Sequence, residues 1–271
     1  MITDQIRGYF GFERLPFDRS LAASQMFGSA SHKEAVARIE YAIATRTMAV
    51  LTGEVGAGKT VAVRAVAAHL DASRHQLIYL PNPQVGARGI HHAVVSALGG
   101  VPRFHHATLI PQAADALAGE LAERGRITVI IVDEAHLLAH DQLEAIRMLT
   151  NAELDSVSAC SILLIGQPQL RHNMKLGVLA ALDQRIAVRY QMQPMTISET
   201  SDYLRHHIRL AGRGDALFSD DAAAFIHHTS RGYPRAVNRL ATAALIATYT
   251  SHKTIADETT ARAAATEMSD Q

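Results

Sequence analysis

The chain has 271 residues, 48% apolar and 19% charged, which suits one large domain, or a medium domain with a small appendage, around a real core. Lys plus Arg and Asp plus Glu each number 26, so the net charge is zero; there is no global basic field to mark a nucleic-acid binder, and any such surface must be a local patch. A single cysteine, Cys160, excludes a disulfide framework within the chain. Its thiol reads as buried and inert, as suits a reducing cytoplasm. The opening MITDQIRGYF lacks the apolar core of a signal peptide, and no apolar run reaches the ~20 residues of a membrane span, so a cytoplasmic protein without a membrane anchor is expected.

Residues 1–30, containing GYFGFERLPFDRS, read as a turn-rich strap packed on a domain. A helix is expected over 31–46, with Ser31 as its cap and Glu34 three residues on as a capping box. A short apolar strand run follows at 47–52, then a glycine loop and an Ala/Val-rich helix to about His69. Next come a strand at 76–81 and helices over 87–98 and 110–124. ITVIIVDEA (127–135) is a continuous apolar run closed by two carboxylates, and SILLIG (161–166) is another such run; lack of alternation marks strands covered on both faces of a parallel sheet. Helices at 140–153 and 176–183 and a fifth strand at 186–191 complete this part. Beyond Pro194 only helical patterns remain: 198–211, 219–229, 234–250 and 256–268. The expected fold is therefore α/β, a five-stranded parallel sheet sandwiched by helices over 1–193 (1–30 being the strap), with a small all-α domain over 194–271.

Gly53-Glu54-Val55-Gly56-Ala57-Gly58-Lys59-Thr60 matches G-x-x-x-x-G-K-[ST] in full, between a strand and a helix, the context that makes it a phosphate loop. Its glycines let backbone N–H groups turn inward onto phosphate oxygens, and the helix N-terminus adds partial positive charge. Lys59 is placed to reach the β- and γ-phosphates, the Thr60 hydroxyl to ligate Mg²⁺, and Val61 to continue the nucleotide-binding stretch. ATP and Mg²⁺ are the ligands expected.

The Ile130-Ile131-Val132 strand delivers Asp133 and Glu134 to the carboxyl edge of the sheet, where open α/β folds bind ligands. Asp133 is the expected Mg²⁺ ligand and Glu134 the general base for water. The tetrapeptide Asp133-Glu134-Ala135-His136 also reads as a helicase DEAH box, but no second RecA-like domain follows. His136 and His140 have metal-ligand spacing without a third ligand in view.

Three further polar positions belong to the same chemistry. Gln167 follows the SILLIG strand, where it can meet the attacking water or the γ-phosphate. Arg185, before the last strand, can reach a neighbouring subunit's γ-phosphate, with Arg189 the second choice. Arg235 follows Gly232-Tyr233-Pro234 at a helix start, from which it can point to the nucleotide.

Together with the front segment Tyr9-Phe10-Gly11-Phe12 and Leu15-Pro16-Phe17, the motifs TGEVGAGKT, IVDEA, LIGQPQL, Arg185-Ile186 and Gly232-Tyr233-Pro234-Arg235 resemble AAA+ ATPases of the ExeA-like group, over about residues 8–265. Relatives of that group include the transposition ATPases of the TniB, TnsC and MuB type. The resemblance implies a P-loop AAA+ core with a helical lid and ATP-dependent assembly into a homo-oligomeric ring or filament. Secretion-type members carry a membrane span and a wall-binding module after the core. Their lack here favours, as an expectation, the compact ATPases that bind duplex DNA and activate a DDE transposase, with a secretion or envelope-assembly ATPase as the alternative. Support for DNA contact in the residues is slight: Arg88 and Arg103 flank a helix, and the pairs His91–His92, His105–His106, His206–His207 and His227–His228 diverge by about 100° on their helices. A non-enzymatic module is the third reading, against which Lys59, Thr60, Asp133 and Glu134 all stand intact.

Overall fold

The computed structural model describes residues 2–18, 21–81, 86–150 and 158–269. The chain divides into two compact units: Glu34–Val55 with Lys59–Met192, and Met1–Lys33 with Gly56–Gly58 and Gln193–Gln271.

The first unit is built on five strands, β1 (Met48–Thr52), β2 (His75–Leu80), β3 (Ile127–Val132), β4 (Cys160–Gly166) and β5 (Ile186–Gln191). All pairings are parallel, in the order β2-β3-β4-β1-β5. Every residue of β1 and β4 is buried, which explains their continuous apolar sequence: both faces are covered. Val50, Ile78, Ile130, Ile162 and Leu164 face one side, in one core with Val94, Leu117, Leu143, Ile146 and Leu182 of the helices. Each fully buried Ile or Leu of this layer stabilises the fold by roughly 2 kcal/mol. The helices of this unit include α2 (Ala30–Ala44), α3 (Lys59–His69), α4 (Gly86–Ala97), α5 (His106–Arg124), α6 (His140–Leu149), α7 (Gln169–Met174) and α8 (Ala180–Arg185). α2 lies on the opposite face of the sheet, where the Ser161 hydroxyl donates to the Ala42 carbonyl at 3.2 Å.

Several expected element ends move, each for a local reason. The cap of α2 is Ser29, whose Oγ accepts the His32 N–H at 3.2 Å, while Ser31 Oγ accepts from Gln193 N at 2.8 Å and Glu34 pairs with Arg38. α5 begins at His106, upstream of Pro111, which sits inside the helix and removes one backbone donor. Between β4 and β5 the single expected helix is two short ones joined by a 3₁₀ turn, Gly177–Leu179, because Leu170, Met174, Leu179 and Leu182 must all reach the core. α6 ends at Leu149, and the expected continuation over 151–153 lies outside the described residues.

The second unit contains α1 (Ile2–Phe10), α9 (Ile197–Leu210), α10 (Asp220–Ser230), α11 (Pro234–Thr250) and α12 (Glu258–Ser269). The expected turn-rich opening holds turns over 11–17 but begins with a helix: Ile6 and Phe10, four residues apart, bury one face of α1. With Phe12 and Phe17 they join Tyr203, Leu204, Ile208, Ile226, Val237 and Leu240 in one core. Thr196 caps α9 through a reciprocal box, its Oγ1 accepting Glu199 N at 3.2 Å and its N–H donating to Glu199 Oε2 at 2.9 Å. Pro234 occupies the first turn of α11, where its missing N–H costs nothing. No helix among the described residues is long and apolar enough to cross a membrane.

Candidate nucleotide site

The sheet order decides which loops meet. β1 lies beside β4, and β4 beside β3, so the loops leaving their carboxyl ends are neighbours. These are the 53–58 loop after Thr52, the turn at Asp133 after Val132, and Gln167 after Gly166.

In the loop, Gly56 and Gly58 have φ of +84° and +96°, a region open to glycine at little cost. Lys59 begins α3 and is buried, its Nζ donating to the carbonyls of Gly53 at 2.7 Å and Glu54 at 3.0 Å. The ammonium is therefore folded back over its own loop, beside the first N–H groups of α3. Thr60 Oγ1 lies 3.4 Å from Asp133 Oδ2. These are two hard oxygens from separate elements, the donor type that Mg²⁺ prefers and a thiolate- or imidazole-seeking metal does not. Glu54, Val55 and Val61 are exposed around the loop and Ala57 is buried within it.

Asp133 is 7% exposed, so its carboxylate needs partners. Oδ1 accepts the Glu134 N–H at 2.9 Å and Oδ2 accepts the Tyr79 hydroxyl at 2.9 Å. Burial, then the hydrogen bond to Asp133, pushes the Tyr79 phenol up to about 12, so it remains a donor across the physiological range. Glu134 sits in the left-handed region at φ 51°, ψ 34°, which for a residue with a side chain costs about 1–2 kcal/mol. Its carboxylate, half exposed, reaches His136 Nδ1 at 3.4 Å, and the same nitrogen lies 3.4 Å from the Gln167 backbone N.

Lys59, Thr60, Asp133, Glu134 and Gln167 thus share one edge of the sheet, and Thr60 meets Asp133 directly. Arg185 does not join them. Met48 pairs with Ile186 at the amino end of the strands and Thr52 with Gln191 at the carboxyl end, so Arg185 stands at the amino edge, roughly 15 Å of strand away from its own loop. It is exposed and donates to the Thr150 carbonyl at 3.3 Å. Arg189 is tied to Asp183 Oδ1 at 2.9 Å. In the helical unit, the Arg235 backbone N donates to the Gly56 carbonyl at 3.3 Å, and its side chain is exposed. His136 lies in a 3₁₀ turn and His140 opens α6; no group of three metal-ligating side chains occurs among the described residues.

Sequence reasoning missed Tyr79 and the role of His136. Tyr79 is the penultimate residue of β2, in register with Ile131 of β3, and a polar aromatic beside the acidic strand end was the available signal.

Residues 43–174 match the family model described as AAA domain. Over 253 residues the chain is 32% identical to general secretion pathway protein A of Aeromonas hydrophila, covering 91% of this chain and 46% of that protein. The chain thus spans about half the length of that curated relative. Among solved structures, Cdc6p of Pyrobaculum aerophilum superposes with a TM-score of 0.67 at 16% identity, covering 92% of this chain and 68% of that one. The ORC1 protein of Aeropyrum pernix, solved in complex with DNA, gives 0.64 at 18% identity, covering 89% and 66%. At these identities the chain shares their α/β fold, a five-stranded parallel sheet flanked by helices with a C-terminal helical region.

Proposed function

We propose that this protein is an AAA-type P-loop ATPase that binds ATP with Mg²⁺ and hydrolyses it, and that nucleotide state governs its engagement of a protein client. The observation that carries the reading is Lys59, Thr60, Asp133 and Glu134 on one sheet edge, with Thr60 Oγ1 3.4 Å from Asp133. The 53–60 loop and α3 N-terminus hold the phosphates, and Lys59 exchanges its loop carbonyls for phosphate oxygens. Thr60 and Asp133 would hold Mg²⁺, which supplies charge neutralisation at the β- and γ-phosphates. Glu134 takes a proton from water as the water oxygen bonds the γ-phosphorus; the bond from that phosphorus to the bridging oxygen breaks, leaving ADP and phosphate. Gln167 contacts the water or γ-phosphate, and Arg235 is the further arginine proposed for nucleotide sensing.

Arg185 serves the site of a neighbouring copy, since the length of β5 keeps it from its own. That makes a homo-oligomer, ring or filament, the active form. For the client, identity to a general secretion pathway protein along 91% of the chain supports the secretion reading, held above as the alternative. Duplex DNA is the second reading. It is favoured by Arg88, whose guanidinium lies 5.5 Å over the Phe104 ring, with Phe104 80% exposed and Arg103 on the same loop. Regulation of a transposase is the finer form of that reading and rests on the motif resemblance alone.

The test is nucleotide binding and turnover side by side. Wild-type protein is expected to hydrolyse ATP only with Mg²⁺. Glu134→Gln should keep ATP affinity within a few-fold while turnover falls roughly 10²–10⁴-fold. Wild-type turnover in Glu134→Gln would remove Glu134 from the chemistry.

A further inference from the structure

His136 has no place in the site as drawn so far, yet it stands between two of its parts. Its ring is 10% exposed, and Nδ1 lies 3.4 Å both from Glu134 Oε2 and from the Gln167 backbone N. One ring nitrogen cannot serve both partners at once. In the Nδ1–H tautomer the ring donates to the carboxylate; in the Nε2–H tautomer the proton sits on the other nitrogen and the Nδ1 lone pair accepts the Gln167 N–H. The surrounding backbone is close-fitting: a Cβ on Gly166 would lie 3.2 Å from the His136 backbone N and 3.0 Å from Leu170 Cδ2, so the end of β4 packs tightly on the turn. Glu134 also has a strained φ of 51°, a backbone state that its surroundings must hold.

We propose that His136 is a positioning residue for Glu134, its Nδ1 exchanging between the Glu134 carboxylate and the Gln167 N–H so that the end of β4 sets where the general base points. When Gln167 N–H donates to Nδ1, the carboxylate is released toward water. When Nδ1–H donates to the carboxylate, Glu134 is held aside. The inference rests on the reading of Glu134 as general base and deepens it, because it adds a link from the strand end beside the γ-phosphate to the base.

Two variants separate this from a structural role. His136→Asn keeps a short polar group near the position of Nδ1, and His136→Leu fills the volume without it. Expected results are a drop in kcat of roughly 10–100-fold for Leu, with KM for ATP and affinity for a fluorescent ATP analogue within about two-fold of wild type, and recovery of most of kcat by Asn. Equal kcat in Leu and wild type, or equal loss in Leu and Asn with a lowered Tm, overturns the inference. A second readout needs no turnover: ¹⁵N-imidazole spectra of the nucleotide-free protein, with the His136 signal identified by its loss in His136→Asn. Glu134→Gln is expected to shift the Nδ1 resonance, and an unmoved resonance contradicts the contact. If His136→Leu turns over normally while Glu134→Gln does not, only this inference fails. If wild type hydrolyses no ATP, or Glu134→Gln matches it, the reading beneath fails and takes the inference with it.

Discussion

Asp133 gathers its partners from three parts of the chain: its own neighbour Glu134, Thr60 at the start of α3, and Tyr79 at the end of β2. The motif residues among these were legible because each motif is a contiguous string whose chemistry depends on local backbone form, a loop into a helix or a strand into a turn. Tyr79 and His136 were not, since their contacts come from strand register and a close approach of β4 to the 135–137 turn. The Tyr79 hydroxyl donates to a buried carboxylate, so Tyr79→Phe should cost about 1 kcal/mol in stability, the bond to a charged group being discounted for the half-exposed ring. It should also weaken Mg²⁺-dependent ATP binding while leaving Mg²⁺-independent binding alone. Denaturant titration and calorimetry with and without Mg²⁺ check both; unchanged Mg²⁺ dependence would show that Tyr79 does not help orient Asp133.

Among the elements, the buried parallel strands were readable as long apolar runs, because both faces of the sheet are covered. α1 was not, since Pro16 and the aromatic run suggested turns while its burial depends on a core formed with residues almost two hundred positions later in the chain, such as Tyr203 and Leu204. α9 carries the best pH probe. His207 is 4% exposed, stacked on Phe17 at 5.0 Å, and burial, with the nearby His206 and Arg14 charges, pulls its imidazole down to about 4. An ordinary histidine in the unfolded chain titrates near 6.5, so the unfolded state takes up the proton first as pH falls. Stability is full above that value and is lost between about 6.5 and 4, by on the order of 3 kcal/mol for this group. The urea midpoint of wild type should fall from pH 7 to pH 4.5 more steeply than that of His207→Phe. Parallel slopes would place the acid sensitivity elsewhere.

At the scale of the whole molecule, the position of Arg185 decides most. It stands at the amino edge of the sheet, with β5 between it and its own 53–60 loop, so a single copy cannot bring it to its own nucleotide. Sequence placed this arginine before the last strand of an expected parallel sheet, and the pairing of β5 with β1 gives that edge its distance from the 53–60 loop. Both candidates are exposed, but Arg189 is ion-paired to Asp183 while Arg185 makes only a long hydrogen bond to the Thr150 carbonyl, which makes Arg185 the readier guanidinium for a neighbour. The proposed site is therefore shared: Lys59, Thr60, Asp133 and Glu134 from one copy, Arg185 from the next. The most direct measurement is ATP turnover by a mixture of Glu134→Gln and Arg185→Ala proteins, each inactive alone. In an equimolar mixture, interfaces that join an intact Glu134 to an intact Arg185 form by chance, and turnover should return to roughly a quarter of wild type. A mixture as inactive as its components, or an Arg185→Ala protein that turns over at the wild-type rate by itself, would contradict it.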